Sequence, residues 1–268
     1  MSRKIQIGLA FVALVVVLSS FFWIHHSRNK IHDLPSIIKS GRLSVLTDSS
    51  SIGFSVKHDT VSGFQYEIVK AFADSLGLEL VISEKNDLQD CIDGLSTGDY
   101  DIIANLVPVT TEWGKKASFT IPFFTSREVL VQRASSATNH LKLVLKHCQL
   151  ANDTIYIPVN SPFKMRLKHL SNEIADSIHI VELKNRSSEQ MVRMVANGKI
   201  RFTICNEQFA QRLKLKYPNI DVSLPIGFAQ QQAWVVHPKS PKLLVKLNEF
   251  LDDFIGSSAY WNIYRKYY

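Results

Sequence analysis

The chain has 268 residues, 46% of them hydrophobic and 21% charged, with a formal net charge of +7. That length supplies the core of one large domain or two small ones, and aromatic residues spread along it exclude disorder for most of the chain. Three Cys exclude a disulfide scaffold, and 11 Gly with 9 Pro exclude a collagen-like or low-complexity chain.

Arg3 and Lys4 precede an apolar run at residues 5–24, interrupted by Gln6, Gly8, Ser19 and Ser20. Helical residues rise 1.5 Å each, so the run spans about 30 Å, the thickness of a hydrocarbon core. An uncleaved anchor and a cleaved signal peptide both stay open. The anchor is favoured, because Phe21-Phe22-Trp23-Ile24 ends the run without the small residues of a cleavage site. A four-residue tail before the run and a large body after it put the body outside the cytoplasmic membrane, on its periplasmic side. Signal cleavage would instead leave a soluble periplasmic protein.

After a polar linker, residues 34–41 predict a short helix closed by Gly41, and Leu43, Val45 and Leu46 a strand. Ile68, Val69, Phe72, Ala73 and Leu76 repeat at helical spacing up to Gly77. A strand follows at Leu78, Leu80, Val81 and Ile82, then a helix capped by Asp87 and stopped by Gly98, then a strand over 100–104. Alternating strands and helices with short connections predict a parallel sheet. The pattern restarts with strands at 154–159, 178–183 and 200–205 and helices between them. A helix over 208–216, strands at 222–224 and 233–237, and a helical tail over 241–268 complete it. Two such units in series predict two lobes sharing a cleft. Open α/β sheets take ligands at the carboxyl ends of their strands, where the loops near Phe54, Asn105, Thr110, Ser161 and Asn206 fall.

Several blocks resemble the bacterial extracellular solute-binding proteins of family 3. They are Gly63-Phe64 with Glu67-Ile68, Phe72-Ala73 and Leu76-Gly77; residues 98–104; Thr111-Glu112 with Phe119-Thr120 and residues 122–126; Asn197-Gly198-Lys199; Trp234-Val235-Val236; and residues 264–268. Within that family, Asn86-Asp87-Leu88, the Trp234 block and the Lys266-Tyr267-Tyr268 ending resemble the non-catalytic N-terminal module of membrane-bound lytic transglycosylase F. Those enzymes carry their catalytic Glu in a Glu-Ser pair, and this sequence has no Glu-Ser dipeptide. The resemblance implies an α/β, two-lobed periplasmic-binding-protein type 2 fold behind one N-terminal transmembrane helix. It divides the chain into residues 1–33, anchor or signal peptide with linker; 34–133 plus 227–268, lobe 1; and 134–226, lobe 2.

The resemblance also implies a non-enzymatic protein closing on a small polar ligand: amino-acid-like, peptide or muropeptide. An ABC permease is one expected partner. The alternative is a regulatory or scaffold module that senses peptidoglycan fragments or partners a cell-wall lytic enzyme. Where amino-acid binders of the family carry the Arg that holds the ligand carboxylate, this chain has Trp113; where they carry the Asp for the ammonium, it has Asn206. An Arg–carboxylate pair supplies two charge-assisted hydrogen bonds of about 1.5–3 kcal/mol each, so free α-amino acids are expected to bind weakly. Candidate ligand-binding residues are Phe54, Asn105, Thr110, Trp113, Ser161 and Asn206, with Phe54, Trp113 and Phe124 as aromatic walls. Free-standing core packing is the competing reading for each aromatic. No HExxH, GxSxG, P-loop or dinucleotide fingerprint occurs, and no metal, cofactor or nucleic acid is expected. Residues 134–225 hold 13 Lys or Arg against 7 Asp or Glu, an excess suited to a solvated surface or to an anionic ligand. The Cys read as three small buried apolar residues.

Overall fold

The structure, a computed structural model, describes residues 31–50, 52–57, 60–135, 142–159, 161 and 163–268. The apolar run at 5–24 lies outside the described residues. Among the described residues no helix is long and apolar enough to cross a membrane.

Helix α1 (Leu34–Ser40) starts where the Asp33 carboxylate accepts from the Leu34 N–H, and ends at Gly41 in the left-handed conformation. Strand β1 (Arg42–Thr47) pairs in parallel with β4 (Glu79–Glu84) and β5 (Ile102–Pro108), and α2 (Phe64–Ser75) and α3 (Leu88–Thr97) lie between them in the chain. A hairpin of β2 (Ser55–Lys57) and β3 (Thr60–Ser62) precedes α2. The short α4 (Thr111–Gly114), β6 (Ser118–Phe119) and β7 (Phe124–Ser126) lead away from β5.

The second sheet holds β8 (Glu128–Arg133), β9 (Thr154–Pro158), β10 (His179–Leu183), β11 (Phe202–Asn206) and β12 (Ile220–Asp221), in the order β10-β9-β11-β8-β12. Its helices are α5 (Phe163–Glu173), α6 (Ser188–Ala196) and α7 (Glu207–Lys216). Strand β13 (Gln230–Val236) then returns to the first sheet, pairing with β5, β6 and β7. Helices α8 (Pro241–Phe254) and α9 (Ser258–Tyr267) close the chain against that sheet.

Three expectations need correction. The chain leaves the first sheet at Arg127, between β7 and β8, instead of after residue 133. Val129, Leu130 and Val131 are fully buried in the second sheet, where β8 pairs antiparallel with β11. The terminal segment is two helices, because Gly256 takes φ 84° and Ser257 caps the second by accepting from the Tyr260 N–H. The strand expected at 222–224 falls instead at Ile220–Asp221, paired with Gln132 and Arg133.

Each sheet is covered on both faces. In the first, Val45, Ile102, Ala104 and Trp234 pack with α2, α8 and α9, while Leu46, Ile103, Val107 and Val235 pack with α3 and Trp113. In the second, Val129, Val131 and Cys205 meet α6 and α7, while Leu130, Ile155 and Ile204 meet α5. The alternation follows the two-residue period of a strand. The reading of the cysteines holds for two: Cys91 and Cys205 are buried and their thiols are pushed up to about 12, whereas Cys148 is exposed; all three are free.

Candidate functional site

Residues from both lobes enclose a cleft with adjoining compartments. The central cavity, about 190 Å³, takes Asp48 from the end of β1, Asn105 and Pro108 from β5, Glu128 from β8, Asn206 from β11 and Gln232 from β13. Beside it, about 450 Å³ lies between Thr110, Trp113 and Gln89 of the first lobe and Ser161, Lys164 and His169 of the second. Pro108 and Glu128 line both spaces. A third compartment, about 400 Å³, holds Phe54 with Ser187, Gln190 and Arg193.

The six candidates are thus divided. Asn105 and Asn206 share the central cavity; Thr110, Trp113 and Ser161 share the larger one; Phe54 stands in the third. The expected aromatic wall is not assembled. Phe54 sets its ring edge-on to Tyr66 at 5.4 Å, and Trp113, 7% exposed, is packed among Leu46, Ile92, Leu95 and Val235 with Lys116 Nζ 5.2 Å from its ring centre.

Three of the polar candidates carry local backbone duties. Thr110 Oγ1 accepts from the Trp113 N–H at 3.4 Å and caps α4. Ser161 Oγ accepts from the Phe163 N–H at 3.3 Å at the entry to α5. Asn206 Oδ1 accepts from the Phe209 N–H at 3.4 Å and caps α7, while its Nδ2 donates to Gln232 Oε1 at 3.4 Å. A small polar residue after a strand is what a helix N-terminus needs as well as what a ligand needs. Sequence alone therefore leaves the two roles superposed.

Asn105 differs. Strand β5 runs on past residue 104 to Pro108, and its register against β13 shifts where Ala233 opposes Val107 and Val235 opposes Ile103. Asn105 falls inside that irregularity, a feature that re-aims side chains. Its Oδ1 is buried and has no hydrogen-bond partner.

The reading missed the two carboxylates of the central cavity. Glu128, 6% exposed, lies opposite Asn206 across β8 and β11, and its Oε2 is buried without a partner. Burial pushes its pKa above the usual carboxylate value, against the opposing pull of a backbone hydrogen bond and the Arg166 charge. Asp48 is also pushed up by burial, with a Ser50 hydrogen bond opposing. Asp48 follows a predicted strand directly, so the strand-end rule covers it; Glu128 begins a strand that the sequence reading did not assign. The basic excess of the second lobe is partly paired on its surface, as in Lys164–Glu182, Arg166–Glu173 and Lys216–Glu189. Among the described residues no three His, Cys, Asp or Glu are grouped to hold a metal ion.

Two α/β lobes with a polar cleft between them define a ligand-binding architecture. The sequence matches the bacterial extracellular solute-binding proteins, family 3, over residues 43–268, and the chain belongs to that family. Membership implies a periplasmic or extracellular location. Curated relatives are membrane-bound lytic murein transglycosylases F: that of Desulfosudis oleivorans is 27% identical over 99% of this chain and 56% of its own, and that of Pseudomonas fluorescens 26% identical over 95% and 51%. The chain spans about half the length of these relatives. Among solved structures, a solute receptor for L-cysteine from Neisseria gonorrhoeae superposes with a TM-score of 0.76 at 16% identity, covering 88% of this chain and 93% of its own. A variant of the arginine-binding protein of T. maritima gives 0.72 at 21% identity, covering 87% and 97%. These likenesses establish the two-lobed periplasmic binding fold.

Proposed function

We propose that the chain is a non-enzymatic solute-binding module whose two lobes close on a small polar ligand: amino-acid-like, peptide or muropeptide. The central cavity carries this reading, because it is lined from both sheets and contains buried polar atoms, at Asn105 and Glu128, that lack partners. Two crossings between the lobes, at Arg127 and just after Ile226, form the hinge that closure requires. Trp113 and neutral Asn206 replace the charged residues with which the family's amino-acid binders meet a zwitterion, so those two positions hold neither charge and free α-amino acids bind weakly. Phe54, Thr110 and Ser161 line the compartments through which a larger ligand extends. The chain acts on the periplasmic side of the cytoplasmic membrane, held by residues 5–24, and an ABC permease is its transport partner.

A second reading draws on the relatives, which are transglycosylases F by name. In it the same cleft senses peptidoglycan fragments and the module regulates or scaffolds a cell-wall lytic enzyme. Thermal-shift measurement against amino acids, dipeptides and muropeptides separates the two. A ligand at 100 Kd adds about 2.7 kcal/mol of stability. Stabilisation by dipeptides with little from amino acids favours transport, and stabilisation confined to muropeptides favours sensing. A strong shift from an amino acid overturns the weak-binding expectation, and no shift from any of them overturns both readings.

A further inference from the structure

The central cavity contains two acceptors and no donor assigned to them. Glu128 Oε2 and Asn105 Oδ1 are both buried and both lack a hydrogen-bond partner. They come from different lobes, Glu128 from the second sheet and Asn105 from the first, and line the same space. Leaving a carboxylate oxygen buried and unmatched is costly unless something meets it. Arg166 does not: its Nε donates to the Ile226 carbonyl at 2.6 Å and its two terminal nitrogens to Glu173 at 2.6 and 3.0 Å. Asn206 directs its amide to Gln232 at 3.4 Å. Asp48, the cavity's other acid, has a hydrogen bond from Ser50. The space at Glu128 is kept open by Gly227, where a Cβ would stand 2.8 Å from Oε2.

We propose that the central cavity is a subsite for a primary ammonium group of the ligand, held between the Glu128 carboxylate and the Asn105 side-chain oxygen. An ammonium suits it on three grounds. It is a donor only, it balances the carboxylate's charge, and its three N–H groups can reach acceptors on both walls at once. At about 190 Å³ the cavity is smaller than the roughly 300–1,000 Å³ of whole-ligand pockets. It therefore takes an end group, and the remainder of the ligand lies in the compartment that shares Pro108 and Glu128. Because the two acceptors belong to different lobes, the bound ammonium also ties the lobes together.

This inference rests on the binding reading above, and its test separates the two. The full chain is titrated with free amino acids and dipeptides, each beside its N-acetyl form, which differs by loss of the ammonium. The free forms are expected to bind about tenfold or more tightly than the acetylated ones, the worth of one charge-assisted hydrogen bond. Glu128→Gln, with its fold checked by circular dichroism, is expected to erase that preference. Gly227→Ala, which crowds the carboxylate, is expected to weaken the free forms selectively. Equal binding of the two forms to the parent chain overturns the subsite while leaving the binding reading intact. No binding by any free or acetylated form overturns the subsite, and only with no thermal shift from muropeptides as well does it overturn the binding reading.

Discussion

Glu128 is a buried acid that the free protein holds at a cost. Its pKa is raised above the ordinary 4.5 by desolvation, so the folded state prefers the protonated form more than the unfolded state does. Stability from this group is therefore greatest at low pH and falls as the pH rises through its raised value. Glu128→Gln removes the charge while keeping the shape. Without ligand, the variant should be more stable than the parent at pH 7–8 by about 1 kcal/mol or more. The gap should close as the pH falls toward 4.5, the carboxyl's ordinary value. Thermal denaturation of both proteins across that range measures it; identical melting temperatures at pH 8 would mean that Glu128 has a partner in solution. A site residue that weakens the fold is the usual trade between stability and function.

At the scale of elements, β13 and α2 are joined through a polar contact inside the first core. Trp234 is fully buried, and its Nε1 donates to Gln65 Oε1 at 2.6 Å, with Gln65 itself 2% exposed. Trp234→Phe removes volume and leaves the Gln65 oxygen without its donor, for a cost of about 2–4 kcal/mol. Adding Gln65→Leu should recover about 1 kcal/mol or more of that, since the stranded acceptor is gone. Chemical denaturation of both variants checks this, and a double variant no better than the single would assign the whole cost to lost packing. The same elements show what was legible in the sequence. Helices α1 and α3 are readable because Gly41, Asp87 and Gly98 mark their ends, and β1 and β4 because short apolar runs lie between such marks. Strand β8 escaped the reading because it belongs to the neighbouring sheet, a long-range pairing with β11 that local spacing does not encode. The continuation of β5 past Asn105 escaped for the same reason, as it depends on the irregular register against β13. Thr110, Ser161 and Asn206 stand out in the sequence because ligand sites and helix entries draw on the same residues at strand ends, and the structure shows each of them accepting a hydrogen bond from the backbone there. Glu128 was missed along with its strand.

At the scale of the molecule, the two lobes meet through α7. Glu207, its first residue, pairs with Arg127 at the crossing through contacts of 3.0 and 2.8 Å. Gln208 Nε2 donates to the Thr125 carbonyl at 3.0 Å, and Arg212 donates to the Lys266 carbonyl at 3.1 Å. Phe209, two residues into the helix, packs against the apolar cores of both lobes. The polar contacts are partly exposed, with the Arg127 and Glu207 side chains 42% and 27% accessible, and solvent screens such pairs so that they hold the fold only weakly. Of the coupling that α7 provides, the Phe209 ring therefore carries the larger share. Phe209→Ala should cost about 2–4 kcal/mol, toward the lower part of the range for buried aromatics because the ring is only half-buried. It should also loosen the coupling, so that calorimetry shows the two lobes melting in separate steps where the parent melts in one. Glu207→Gln, by comparison, should shift the melting temperature little and keep a single transition. If the two variants behave alike, with one sharp transition each, the lobes are coupled through the β7–β8 and β12–β13 crossings themselves, and α7 is carried along by them.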